Sequence, residues 1–198
     1  EEEALQFSRS AWGAPIQGQT VMNFDGVTRP YVAQWDNIRD FYDVGRTLTN
    51  TVSLSGGNET ATFRFSGSLL DNEGIIPEAG LERYTINLRG TSKLGKKLSA
   101  DVKINYIEEN AHNRPSLSDT PENPGLVLPE LAPTVSVNWL RDYEDEVGNP
   151  IPWTNTQFRT NPYWGVYNQT NEDEKQRLIG FVSLKYQFTD WLSFQLRT

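Results

Sequence analysis

Aromatic side chains crowd one stretch of this chain, with Trp139, Tyr143, Trp153, Tyr163, Trp164 and Tyr167 all falling between positions 139 and 167. Flat ring faces stack against sugar rings or peptide side chains, which makes Trp139, Trp153, Tyr163 and Trp164 the candidate substrate contacts. The competing use of the same rings is to pack this stretch onto neighbouring segments or onto a partner protein. Catalytic chemistry finds little to work with. His112 is the single histidine, and it sits between Asn110 and Asn113 with no nucleophile motif beside it. Cysteine is absent, which removes disulfide frameworks and thiolate chemistry. No His or Cys cluster has metal-ligand spacing, and no Gly-rich phosphate cradle opens a helix. The run Asp142-Tyr143-Glu144-Asp145-Glu146 could offer carboxylates to Ca²⁺ but lacks the EF-hand pattern. The residues therefore read as a binding or structural protein, not an enzyme, with no resident cofactor or metal.

Composition narrows the class. The net charge of -8 and pI near 4.7 argue against nucleic acid as a partner, because no basic stretch exists to displace counterions. Acidic runs such as Glu1-Glu2-Glu3 and Glu172-Asp173-Glu174 read as solvated loop faces. Hydrophobic residues make up only 36% while aromatics reach 12%, and the mean hydropathy is -0.60. Such an average excludes membrane helices but not barrels, where only alternate residues of segments about ten long face lipid.

Positioning elements are read from period-two alternation, which predicts strands with two different faces. Six segments show it: Thr49–Gly56, Thr60–Leu70, Tyr84–Leu94, Leu98 to about Ile107, Arg177–Phe188, and a last segment holding Leu192, Phe194 and Leu196. In the fourth, Leu98, Ala100, Val102, Ile104 and Tyr106 share one face against Ser99, Asp101, Lys103 and Asn105. Arg64, Arg89, Asp101, Lys103 and Lys185 fall on the polar side throughout, as expected of residues facing a hydrated lumen. The alternation runs on through Gln195-Leu196-Arg197-Thr198, so the expectation is a strand cut in its middle, with any secretory signal outside these residues.

Connections alternate in length. Short turns at Gly57-Asn58, Gly95-Lys96-Lys97 and Thr189-Asp190 fall on one edge; Asp71–Arg83, the large Asn110–Lys175 stretch and everything before Thr49 fall on the other. Periplasmic turns and longer extracellular loops have this asymmetry, and Tyr84, Tyr106, Phe188 and Trp191 stand where aromatic girdles would. The expected fold is all-β, an antiparallel up-and-down transmembrane β-barrel of which the chain supplies about six strands with long extracellular loops. Residues 1–48 form a loop region, 49–109 four strands, 110–175 a long loop and 176–198 two strands. A soluble β-sandwich that binds carbohydrate, or a passive porin-like pore, are the alternatives.

Several strings in order carry a family resemblance. Gly45-Arg46-Thr47-Leu48-Thr49-Asn50-Thr51-Val52-Ser53-Leu54-Ser55-Gly56-Gly57-Asn58, then Phe63-Arg64-Phe65-Ser66, Asp71-Asn72-Glu73-Gly74-Ile75-Ile76-Pro77 and Leu81-Glu82-Arg83-Tyr84-Thr85 resemble the barrel of SusC/RagA-like TonB-dependent transporters. Asn161-Pro162-Tyr163-Trp164 and Arg177–Tyr186, ending Thr189-Asp190-Trp191-Leu192, are similar again; the first 40 residues and 115–155 match poorly. The resemblance implies a bacterial outer-membrane location in contact with lipid, a barrel of about 22 strands, and an amino-terminal plug through which TonB acts. It further implies a SusD-like surface lipoprotein as partner and an oligosaccharide or peptide cargo. No plug is identifiable in these residues.

Overall fold

The computed structural model describes residues 8, 9 and 12–198 and divides into two compact units. The Glu1-Glu2-Glu3 run lies outside the described residues. One unit is a sheet built from 46–73, 80–111 and 172–198; the other gathers the described part of 1–45 with 74–79 and 112–171.

The sheet unit is all-β. Its six strands are β3 (Arg46–Gly57), β4 (Ala61–Glu73), β5 (Gly80–Leu94), β6 (Leu98–His112), β7 (Glu172–Thr189) and β8 (Leu192–Arg197), hydrogen-bonded in chain order. β3 with β4, β4 with β5 and β7 with β8 pair antiparallel. The remaining joins run the same way. Arg89 bonds Asp101 while Arg83 bonds Glu109, and Lys103 lies against Gly180 while the Lys97 carbonyl accepts from the Gln187 N–H. The sheet is open, with β3 and β8 at its edges, and it is a single layer. A sandwich would need a second sheet packed on it; the one other sheet among the described residues is the two-stranded hairpin β1 (Thr20–Met22) and β2 (Thr28–Pro30), which belongs to the other unit.

The short turns close as their residues dictate. Asn58 folds its side-chain oxygen back onto the N–H groups of Thr60 and Ala61 at 2.8 and 2.9 Å, an Asx-type turn. Gly95 takes φ +86° in the next turn, a conformation that L side chains resist. At the third, the Thr189 hydroxyl accepts from the Leu192 N–H at 3.1 Å beside a register irregularity between Gln187 and Thr189.

The strands are longer than alternation predicts, and apart from Gly57 and Thr189 at the short turns the extra residues lie on the long-connection edge: 46–48, 71–73, 80–83, 108–112 and 172–176. There the apolar half of the pattern fades and both faces carry polar groups, so periodicity gives no signal although the ladder continues. Cross-strand pairs hold these extensions. Arg46 meets Glu73 at 3.0 Å, the Asn72 side-chain N–H donates to the Thr47 hydroxyl at 2.7 Å, and Arg83 Nε meets Glu109 at 2.7 Å.

In the other unit the long connection is not an extended loop. It carries two short helices, α1 (Pro124–Glu130) and α2 (Pro162–Asn168), each entered by an Asn-Pro pair. Asn123 and Asn161 accept from the N–H two residues on, and the proline at the first helical position has no N–H to leave unpaired. The unit buries its own core of Phe24, Phe41, Val127, Leu128, Val137, Leu140, Trp153, Tyr163 and their neighbours. A chain of this length could not stay structureless in a compact body without stranding backbone polar groups, so it packs.

At Gly180 the backbones of β7 and β6 approach closely, since a Cβ there would stand 2.5 Å from the Lys103 carbonyl oxygen, whereas a Cβ at Gly67 would meet nothing. Gly180→Ala should therefore lower thermal stability by about 1–3 kcal/mol, and Gly67→Ala should leave it unchanged or raise it slightly; comparing the two melting curves tests the β6–β7 join.

Candidate functional site

All four sequence-predicted contact residues lie in the second unit, and its packing decides what their rings can do. Trp153 is 0% and Tyr163 1% exposed; both rings lie inside the core and present no face to a ligand. Trp153 is fixed from two sides, its indole N–H donating to the Thr160 carbonyl at 3.3 Å and its own carbonyl accepting from the Ser8 hydroxyl. Tyr163 sits among Phe41, whose ring centroid is 4.9 Å away, Tyr167 at 6.5 Å and the Arg141 guanidinium at 5.0 Å. Its hydroxyl has no hydrogen-bond partner among the described residues. Burial accordingly pushes the Tyr163 phenol above its ordinary value. These two positions serve packing, because an aromatic ring is the largest apolar body the chain has for filling a small core.

Trp139 and Trp164 are half-buried. The Arg29 guanidinium lies 4.3 Å over the Trp139 ring, and Asp25 holds that guanidinium in a two-pronged bond at 2.7 and 2.6 Å. Partial burial is the largest single influence and works to raise the Asp25 carboxyl, but the Arg29 bonds, the Val27 N–H and the Arg29 charge together outweigh it and the group ends below its ordinary range. One face of Trp139 is thus already taken by a cation. Trp164 donates its indole N–H to the Gly148 carbonyl at 3.0 Å, which ties it to the turn after the acidic run.

That run forms a closed turn. Asp145 accepts from the N–H groups of Val147 and Asn149 and from the Asn149 side chain, at 3.0, 2.8 and 3.0 Å, around Gly148 at φ +88°. These bonds, the Asn149 side chain first, hold the Asp145 carboxyl below its ordinary value. Its oxygens are occupied in closing the turn, and no group of three or more His, Asp or Glu among the described residues is arranged to hold a cation. His112 is the last residue of β6.

Open rings occur elsewhere. Trp35 is 91% exposed at the rim of a groove of about 460 Å³ whose other side is Leu128, Pro129 and Pro133. Sequence reading passed over it because a single tryptophan in an aperiodic leader gives no pattern. Its neighbour Asn37 fixes the place. The side chain of Asn37 donates to the Val135 carbonyl at 2.6 Å and accepts from the Val137 N–H, pairing with backbone about a hundred positions later as another strand would.

The strongest polar junction in the unit is Glu130, at the end of α1. Arg159 grips both its oxygens at 2.9 and 2.8 Å, and Arg9 adds a third contact at 2.6 Å. The Arg159 bond, opposed by partial burial and assisted by Arg9, keeps the Glu130 carboxyl below its ordinary value of 4.5.

No protein-family model matches this sequence, and no curated protein is significantly similar to it.

Three outcomes test this packing. Trp153→Ala should destabilise the unit by about 3–5 kcal/mol, as large-to-small core changes do, whereas Tyr163→Phe should be neutral or stabilising because it removes a buried hydroxyl with no partner; chemical denaturation followed by tryptophan emission separates them. A carboxyl depressed on folding contributes stability above its unfolded value that is lost as pH falls through its folded value. Unfolding midpoints measured downward from pH 6 should fall in the acid range, and Glu130→Gln, costing about 1–3 kcal/mol, should flatten that fall.

Proposed function

We propose that this chain forms wall and extracellular-loop segments of a SusC/RagA-like TonB-dependent transporter in a bacterial outer membrane. The observation that carries the reading is the apolar face of the sheet. Along register partners, Leu54 stands opposite Phe65 and Phe65 opposite Leu88; Val52, Gly67 and Ile86 follow in line, and Leu184 with Leu196 and Tyr186 with Phe194 continue the face at the other end. Each of these large side chains except Gly67 is exposed by 39% or more. A soluble monomer seldom leaves so wide an apolar surface uncovered. Lipid is the solvent that suits it, and the opposite face, with Arg64, Arg89, Lys103 and Lys185, suits a hydrated lumen.

Three further features support the reading. The edge strands β3 and β8 offer unpaired backbone groups that only further strands could satisfy within a membrane. Alternation lasts about as long as a bilayer-crossing strand of 9–11 residues, and the two-sided polar extensions begin where it stops. Exposed Tyr84 at one end and Phe188 and Trp191 at the other fit the two interfacial levels. On this reading the unit carrying α1 and α2 faces the outside, where an oligosaccharide or peptide cargo and a SusD-like lipoprotein would meet it, Trp35 being its most open large ring. Energy would come through TonB by way of an amino-terminal plug not identifiable in these residues. The collinear SusC/RagA-like strings favour active uptake over a passive pore.

Leu88→Arg places a charge on the apolar face and should cost about 2–4 kcal/mol near mid-bilayer, seen as loss of the folded protein from outer membranes; Asn87→Arg, on the other face, should assemble normally. Recovery of both variants alike in a detergent-free soluble fraction would overturn the membrane reading.

A further inference from the structure

Ser8 and Arg9 are fastened to parts of the chain far along the sequence. Ser8 is 3% exposed. Its carbonyl accepts from the Ala132 N–H at 2.7 Å, its hydroxyl donates to the Trp153 carbonyl 145 positions later, and the Arg9 guanidinium reaches Glu130 at 2.6 Å. One dipeptide thus meets a donor, an acceptor and a carboxylate, and all of these residues belong to the unit carrying α1 and α2. Each of the three groups is also held from another side. Arg159 keeps both Glu130 oxygens, the Ala132 carbonyl accepts from the Val135 N–H at 2.9 Å, and the Trp153 ring lies in the core with its indole N–H on the Thr160 carbonyl. Withdrawing the dipeptide leaves these bonds in place. Its own fastening is incomplete, since Arg9 Nε is buried with no partner among the described residues. A buried donor left unpaired favours the state in which water reaches it, and weakly held segments open ahead of the body they rest on.

We infer that Ser8-Arg9 is a strap closed over a preformed peptide seat, and that the seat takes a segment in which a hydroxyl residue precedes arginine. The strap is the occupant supplied by the chain itself, and its bonds define the chemistry of any other. A backbone carbonyl must meet the Ala132 N–H, a hydroxyl the Trp153 carbonyl, and a guanidinium the Glu130 carboxylate, the last being the charge-assisted contact and the strongest of the three. An acidic segment would set a carboxylate against Glu130, and an apolar one would leave the Trp153 carbonyl without its donor. The inference goes beyond the transport reading and does not rest on it, because the seat is built entirely within one unit.

The test is amide hydrogen exchange on the intact protein and on the double variant Ser8→Ala, Arg9→Gln, read at two positions. Ala132 reports the strap, and Val127, whose N–H donates to the Asn123 carbonyl at 3.0 Å, reports the body beneath it. The double variant should exchange roughly tenfold faster or more at Ala132 and unchanged at Val127. Calorimetry with a synthetic peptide of the sequence of residues 5–10 then probes the vacated seat. The peptide should bind the double variant saturably, and roughly tenfold or more weakly both to the parent, whose seat is filled, and when glutamine replaces the arginine of the peptide. Equal acceleration at Ala132 and Val127 would make the dipeptide part of the core and overturn the strap, as would unchanged exchange at Ala132. Absence of binding to the double variant, or equal binding of the glutamine peptide, would overturn the seat.

Discussion

One constraint governs most of this structure: a single continuous sheet keeps apolar and charged side chains on opposite faces, with no second layer to hide either. Because successive side chains point to opposite sides, a slip of one residue in the pairing of β4 with its neighbours would carry Arg64 to the apolar face and Phe63 and Phe65 to the charged one. The register from Arg46 against Glu73 to Gly57 against Thr62 is held without interruption over β3 and β4, and the Asx turn at Asn58 and the positive-φ turn at Gly95 fix where each hairpin starts. Faces, turns and ladder are thus one requirement expressed three times.

The second unit answers a different problem. Segments separated by up to 145 positions must lose their chain entropy together, and a loop closing over that span gains nothing until a core forms. Rings that sequence reading offers as ligand contacts supply that core. Trp153 and Tyr163 are covered on all sides, Trp139 is shared with Arg29, and Trp164 is tied to the turn at Gly148. Asn37 and Glu130 then fasten the assembly, one by imitating a strand partner and the other by collecting two guanidinium groups.

The two units therefore divide the chemistry. The sheet offers a broad apolar face and a polar face rich in cations. The loop unit offers a compact body with a few open rings, of which Trp35 is the most exposed.

Sequence alone determined the six strands, their order and the sidedness of their connections, because period two and turn chemistry are local properties that survive without knowledge of neighbours. It also located the charges of the polar face and the aromatic ends of the strands. It did not determine how far the strands run at their polar ends, since two wet faces leave no alternation to read. The Asn-Pro entries to α1 and α2 were legible in principle, but each helix is too short to show a 3.6-residue period. What a tryptophan does was decided by tertiary structure only: Trp153 and Trp35 are the same residue type in similar polar surroundings, and the difference between 0% and 91% exposure comes from which distant segments close over them.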